Sequence, residues 1–356
     1  MSLPEVGVSL STALRQAVLA QDFGATPDHW RSGAPVAHFP SIDLAVAAFR
    51  RGRPAVWANV LFSREHPQGM AGDMGADAGA LRQVRFDRDV RDKRGESVAW
   101  LPDADWRRIA WQPLAGNGTQ RFVAPYPASL LKLMVAVGVG MAVDRGLADW
   151  PPALEPMITV SDNDATTACV ALLHRLRLID SLNARFAALG LTTLQMHGTQ
   201  ANGGWRNADG AGVGQIHMTA WDTVRLLWLL DAQAPPPPWL SPSPQAGTAL
   251  LSDASRAHLR GVLQRQQLDH ILSSGSLRDV PSWLPGLPDA PAFAHKTGNT
   301  DNYASDAGIV MAGDTHYIVA LLTSLGKRHA PDERCATTWR LPALGAAVHQ
   351  LMEQLT

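Results

Sequence analysis

Residues 125–135 read Pro125-Tyr126-Pro127-Ala128-Ser129-Leu130-Leu131-Lys132-Leu133-Met134-Val135. The two prolines stop regular structure just before Ser129. From Ser129 to Met141 the chain is apolar nearly all round, which predicts a central, buried helix closed by Gly146. Ser129 and Lys132 are three apart, so they share one helical face and set a hydroxyl beside an amine. A Ser-x-x-Lys pair on an arbitrary helix is usually a solvated surface pair. Here Leu131, Leu133, Met134 and Val135 surround the lysine, where an unpaired ammonium would be costly.

Two more polar clusters follow in chain order: Ser161-Asp162-Asn163 and Lys296-Thr297-Gly298. Serine is a weak nucleophile and needs a base. Lys132 suits that role if its amine is neutral, which burial and a second cation, Lys296, both favour. Ser161 supplies a hydroxyl able to pass a proton between Lys296, Lys132 and a leaving nitrogen. Asn163 offers an amide to hold Lys132 or a substrate carbonyl. Asp162 reads as a helix cap. Lys296 and Thr297 suit a substrate carboxylate, and Gly298 allows substrate backbone close to a strand. The N–H groups of Ser129 and Asn299 would face a developing oxyanion. Singly, Ser-Asp-Asn is an ordinary N-cap and Lys-Thr-Gly an ordinary surface turn. Their joint occurrence makes Ser129, Lys132, Ser161 and Lys296 the catalytic candidates. Asn163, Thr297, Gly298 and Asn299 are the substrate-binding candidates.

The chain has 356 residues and a formal net charge of −1, so it has room for a large core and no basic field for nucleic acid. No apolar run is long enough to span a membrane. The two cysteines, Cys169 and Cys335, are no disulfide framework and read as buried free thiols. No Cys/His cluster has metal spacing, and no cofactor motif is present. No leader peptide is visible. The compartment is periplasmic if a leader was trimmed and otherwise cytoplasmic, and the oligomeric state is open.

Along the chain, helices are expected at Leu10–Gln21, Asp43–Arg51, Asn163–Leu173, Ser181–Leu189, Asp222–Leu230, Ser252–Arg265 and Thr338–Gln354. Strands are expected at Ala55–Phe62, Glu96–Leu101, Arg108–Gln112, Phe293–Thr297, Ala307–Met311 and Tyr317–Thr323, the last two as a hairpin around Gly313-Asp314. Arg64–Gly79 and the glycine-rich Leu191–Gly214 read as loops, and Pro235–Pro238 as a stiff linker. His197 and His217 flank the second loop in solvated or capping roles. Thr219 to Asp222 resembles a capping box. Strands early and late with helices between suggest a sheet built from both chain ends with a helical lobe inserted. Residues 1–95 read as an N-terminal extension with the first helix and a strand. Residues 96–128 and 240–356 read as the sheet lobe, and 129–239 as the helical lobe.

Together, S-x-x-K, S-D-N and K-T-G resemble the set of class A serine β-lactamases, within the wider family of penicillin-recognising serine hydrolases. The matching stretches are Phe122–Val135, Met157–Leu172, Met218–Leu230 and Ala292–Thr323. The resemblance implies an α/β fold with an antiparallel five-stranded sheet flanked by helices, and an inserted all-α lobe. It implies an acyl-enzyme on Ser129, a small-molecule β-lactam or acyl-D-Ala-D-Ala-like substrate, and no metal or organic cofactor. Such a chain is an antibiotic-resistance hydrolase, a peptidase, esterase or acyltransferase on the same scaffold, or a penicillin-binding module without turnover. Three departures stand out. The stretch from Lys132 to Ser161 is shorter than usual for the family, and the insert near Pro235 is extra. The family's deacylating glutamate has no counterpart, since no Glu occurs between Glu155 and Glu333. Asp180 reads as a helix cap, and Asp209 is a shorter candidate substitute. Acylation without efficient hydrolysis is therefore expected.

Overall fold

Ile42-Asp43-Leu44-Ala45-Val46-Ala47-Ala48-Phe49 is where the computed structural model departs furthest from the sequence reading. Asp43–Arg51 was expected to be a helix, yet Ile42–Phe49 is a strand buried along its whole length. An apolar run of eight residues has no period that separates a buried strand from a buried helix. The structure describes residues 9–72, 81–86, 111–205, 216–240, 249–277, 293–332 and 335–355.

Helix α1 (Leu10–Leu19) opens the described chain, followed by the short pair β1 (Pro27–Asp28) and β2 (Ala34–Pro35). Strands β3 (Ile42–Phe49), β4 (Val56–Ser63) and β5 (His66–Gly72) form an antiparallel meander. Within the expected loop Arg64–Gly79, His66–Gly72 is instead β5, and the remainder from residue 73 lies outside the described residues. A small sheet follows, from β6 (Leu81–Phe86), β7 (Trp111–Ala115) and β8 (Gln120–Val123). The expected strand at Glu96–Leu101 lies outside the described residues, and only the end of Arg108–Gln112 lies within them, opening β7. The helical part comprises α2 (Lys132–Asp144), α3 (Leu154–Thr159), α4 (Asn163–Arg175) and α5 (Ile179–Ala188). The short pair β9 (Gln195–Met196) and β10 (Ile216–His217) precedes α6 (Ala220–Leu230) and α7 (Asp253–Gln264). Strands β11 (Phe293–Asn299), β12 (Ala304–Ala312) and β13 (Thr315–Thr323) and helix α8 (Arg340–Leu355) complete the chain.

The main sheet runs β11-β12-β13-β3-β4-β5, antiparallel at every step. It has six strands, one more than the resemblance implies, because β5 extends the meander beyond β4. The two-residue period of the central strands divides the core. Ala45, Ala47 and Phe49 of β3, with Ile318, Ala320 and Leu322 of β13, pack toward the helical lobe. Leu44, Val46 and Ala48, with Tyr317, Val319 and Leu321, pack on the other side with Leu14 and Val18 of α1 and Leu344 and Val348 of α8.

Local signals set the helix starts. Ser9, Asp162, Thr219 and Ser252 each accept a backbone N–H of the first turn of α1, α4, α6 and α7. Only half of the expected box at Thr219 forms. The Asp222 carboxylate instead accepts the Thr193 N–H at 2.8 Å and the Thr193 hydroxyl at 2.7 Å. Asp180 is not a cap but sits inside the first turn of α5, where its charge suits the helix dipole. Among the described residues no helix is long and apolar enough to cross a membrane. Both cysteines are buried free thiols, as expected.

Candidate active site

The entry to α2 is bent by Ala128, whose φ of +51° is left-handed and disfavoured for a residue with a Cβ. Ser129 lies in the resulting 3₁₀ turn, Ala128–Leu131, and Lys132 begins the α-helix proper. The Lys132 side chain is fully buried. Its Nζ donates to the Ser161 carbonyl at 2.6 Å, Ser161 Oγ at 3.0 Å, the Asp162 carbonyl at 3.3 Å and Asn163 Oδ1 at 3.1 Å. Ser161 is itself left-handed, at φ +56°. That conformation lets one residue present both its carbonyl and its hydroxyl to one ammonium, and such strain concentrates at functional sites. The first two motifs are thus joined through the lysine. No hydrogen bond between Ser129 Oγ and Lys132 Nζ is present among the described residues. Asp162 is the N-cap of α4, accepting the Ala165 N–H at 2.7 Å, as its sequence position indicated.

The third motif lies on β11, at the sheet edge. A Cβ on Gly298 would meet the Pro127 carbonyl oxygen at 2.5 Å and the Leu130 nitrogen at 2.6 Å. Only a glycine lets the strand press on the backbone around Ser129. Ser305 of β12, which the sequence did not single out, donates its hydroxyl to the Pro127 carbonyl at 2.5 Å. Lys296 is fully buried and donates to the Thr297 carbonyl at 2.7 Å. Burial, then the charge of Lys132, hold the Lys296 amine well below the ordinary lysine range, with Asp306 opposing. Sequence reasoning made Lys132 the neutral amine and Lys296 the second cation. The Lys132 charge is one cause of the low Lys296 value, so the two amines disfavour each other's charge. Thr297 is buried in register with Asp306, and Asn299 Nδ2 donates to the Ala336 carbonyl at 2.5 Å.

Behind Lys296, on the opposite strand face, His295 is enclosed by two carboxylates. Its Nδ1 lies 2.7 Å from Asp306 Oδ1, and its Nε2 lies 2.6 Å from Asp269 Oδ1. Asp306 Oδ2 also accepts the Leu272 N–H at 3.0 Å.

Trp205, like Ser305, is a neighbour of the site that the sequence did not single out. Its ring centroid stands 5.2 Å from Lys132 Nζ, and its Nε1 donates to Thr167 Oγ1 at 3.3 Å. A tryptophan in a glycine-rich stretch carries no local signal for this placement. His217, expected to be solvated or capping, is buried, with Nδ1 2.5 Å from the Thr193 carbonyl. Asp209 lies outside the described residues. Among the described residues no group of three or more His, Cys, Asp or Glu side chains is placed to hold a metal.

A strained turn carrying a serine, two buried lysines and a close-packed glycine on the edge strand stand together on an antiparallel sheet with a helical lobe. The model of the β-lactamase enzyme family matches residues 150–340, more than half of the sequence and inclusive of the second and third motifs. The chain belongs to this family. Its fold is similar to that of a β-lactamase from Xanthomonas campestris pv. campestris, with a TM-score of 0.51, 13% identity, and coverage of 97% of this chain and 99% of that one. It is also similar to a mutant of PBP-A solved as an acyl-enzyme complex with penicillin G, with a TM-score of 0.50, 16% identity and 99% coverage of both chains. At such identities these likenesses show the fold. No curated protein sequence matches the chain significantly.

Proposed function

We propose that this protein forms an acyl-enzyme on Ser129 from a β-lactam or a related amide or ester. The observation that carries the reading is the seat of Lys132 Nζ, buried between Ser161 Oγ and Asn163 Oδ1 one helical turn after Ser129. The Ser129 hydroxyl attacks the substrate carbonyl carbon and gives its proton to the Lys132 amine. The carbonyl oxygen becomes an oxyanion facing the N–H groups of Ser129 and Asn299. The C–N bond then breaks, and its nitrogen receives a proton from Ser161, which is resupplied by Lys132. An ester on Ser129 remains. Nucleophile–base hydrogen bonds commonly tighten only on substrate binding, and the Ser129–Lys132 contact belongs to that complex. Lys296 and Lys132 each disfavour the other's charge, and Lys296 with Thr297 suits a substrate carboxylate.

Hydrolysis of the ester needs a base that activates water. The chain has no glutamate between Glu155 and Glu333. That absence favours a second outcome on the same scaffold: a long-lived acyl-enzyme, or transfer of the acyl group to another nucleophile, as in a peptidase, acyltransferase or penicillin-binding module. With a chromogenic β-lactam the expected progress curve is a stoichiometric burst followed by turnover at least about tenfold slower. Rapid linear turnover with no burst would overturn slow deacylation. Ser129→Ala is expected to abolish covalent labelling by a fluorescent penicillin, and retained labelling would overturn the nucleophile.

A further inference from the structure

We propose that Gln266 is a positioning residue for acylation: a clip that sets Ser161, the proton donor to the leaving nitrogen, against the strand that carries Lys296. The inference rests on the serine acyl-enzyme reading above and deepens it.

Gln266 follows the end of α7, and its side chain is buried. Both ends of its amide are engaged. Nε2 donates to the Ile158 carbonyl at 3.0 Å and to the His295 carbonyl at 3.4 Å. Oε1 accepts the backbone N–H groups of Gln267 and Leu268, each at 3.1 Å. Carbonyl oxygens on one side and N–H groups on the other leave the amide one satisfied orientation. The Gln267 N–H is shared with the Thr159 carbonyl at 2.9 Å. Ile158 and Thr159 end α3, two residues before Ser161, and His295 immediately precedes Lys296 on β11. One buried amide thus joins the stretch leading into the second motif to the strand of the third. The same segment grips β11 again through Asp269, whose Oδ1 lies 2.6 Å from His295 Nε2. On the other side, the Asp162 N–H donates to the Pro156 carbonyl at 3.0 Å, which folds the Ser161 turn back onto α3. A shift of the end of α3 therefore carries Ser161, and its contacts with Lys132 Nζ, relative to β11.

The role of Ser161 makes this position matter for one class of substrate more than another. With a β-lactam, the Ser129 Oγ–carbon bond forms and the proton of Ser129 goes to Lys132. The nitrogen is a poor leaving group and takes a proton from Ser161 as the C–N bond breaks. With a p-nitrophenyl ester the same Oγ–carbon bond forms, but the C–O bond breaks and p-nitrophenolate departs as an anion. The proton of Ser129 then stays on Lys132, and no donor to the leaving group is needed. Displacing Ser161 therefore slows reaction with the β-lactam more than reaction with the ester. A general loosening that disturbs Ser129 and Lys132 slows both alike.

The test compares two acylation rates of the full-length protein. One is adduct formation with benzylpenicillin, read by intact mass. The other is the p-nitrophenolate burst from p-nitrophenyl acetate, corrected with Ser129→Ala. Gln266→Met is close in volume and removes the polar atoms. It is expected to lower the ratio of penicillin rate to ester rate at least about tenfold, the low end of what a proton donor contributes. Gln266→Glu keeps an acceptor for Gln267 and Leu268 but turns a second acceptor onto the Ile158 and His295 carbonyls. It is expected to lower the ratio in the same sense, which keeps the test decisive if Gln266→Met does not fold. Thermal unfolding identifies the folded variants. A folded variant that keeps the parent's ratio, with both rates slowed alike or unchanged, would overturn the inference alone. Failure of both variants to fold would overturn it too, because Gln266 would then be structural. No benzylpenicillin adduct on the parent would overturn the serine reading, and the inference with it.

Discussion

His295 shows how a single residue couples the site to pH. Burial disfavours its imidazolium, but the Asp306 charge and the hydrogen bonds to Asp269 and Asp306 outweigh that cost and raise its pKa to about 9. A folded-state pKa above the unfolded value means that the protonated histidine stabilises the fold. That contribution is complete below about pH 6.5, the ordinary value for histidine, and is lost as the pH rises through about 9. Denaturant midpoints measured from pH 6 to 10 are therefore expected to fall across this window. His295→Ala is expected to flatten the fall and to cost about 3 kcal/mol at pH 7, because two carboxylates lose their buried partner. A pH-independent difference between the two proteins would refute the assignment. Strand alternation, which is local, sets His295 on the face opposite Lys296. Sequence alone did not find Asp269 and Asp306, because they come from separate segments.

At the scale of elements, the site is a contact between the turn before α2 and the edge strand β11. Gly298 sets their spacing. Gly298→Ala puts a methyl within 2.5 Å of the Pro127 carbonyl, and main chain cannot move aside as a flexible side chain can. The expected cost is about 1–3 kcal/mol, typical of forced overpacking, with Ser129 displaced and acylation by penicillin slowed at least about tenfold. Thermal unfolding and labelling rates check both parts, and normal labelling at parent stability would show that the contact is not limiting. Such close approach is legible in a Lys-Thr-Gly motif only as permission. Which backbone takes the space is decided by the partner element. Helices α4, α6 and α7 were read well, since Asp162, Thr219 and Ser252 are local caps. The strand at Ile42–Phe49 was misread because both of its faces are apolar.

For the whole molecule, the consequence of β3 and β4 is that residues before 96 are part of the sheet's centre. β3 pairs with β13 on one side and β4 on the other. The Asp43 carboxylate on β3 accepts the Ala220 N–H at 2.9 Å, at the start of α6, and the Asn59 amide at 2.8 Å. A second tie joins the chain ends: Arg328 donates to the Asp28 carboxylate at 2.6 and 3.0 Å and to Asn302 Oδ1 at 3.2 Å, beside the turn that follows β11. A chain beginning at residue 96 would lack three of the six main strands and is expected not to fold. Circular dichroism and solubility of that truncation check this, and a cooperative unfolding transition would contradict it.

By itself the sequence brought forward the polar groups proposed for the crevice and determined where most helices begin. Those facts depend on neighbours within a few residues: a proline before a serine, a lysine one turn later, a hydroxyl or carboxylate at a helix start. Tertiary structure alone decided that Ile42–Phe49 is a central strand, that His295 is clasped by two aspartates, and that Trp205 stands against Lys132. Each of those outcomes rests on surfaces brought together from distant parts of the chain, whose energies of contact no local pattern encodes.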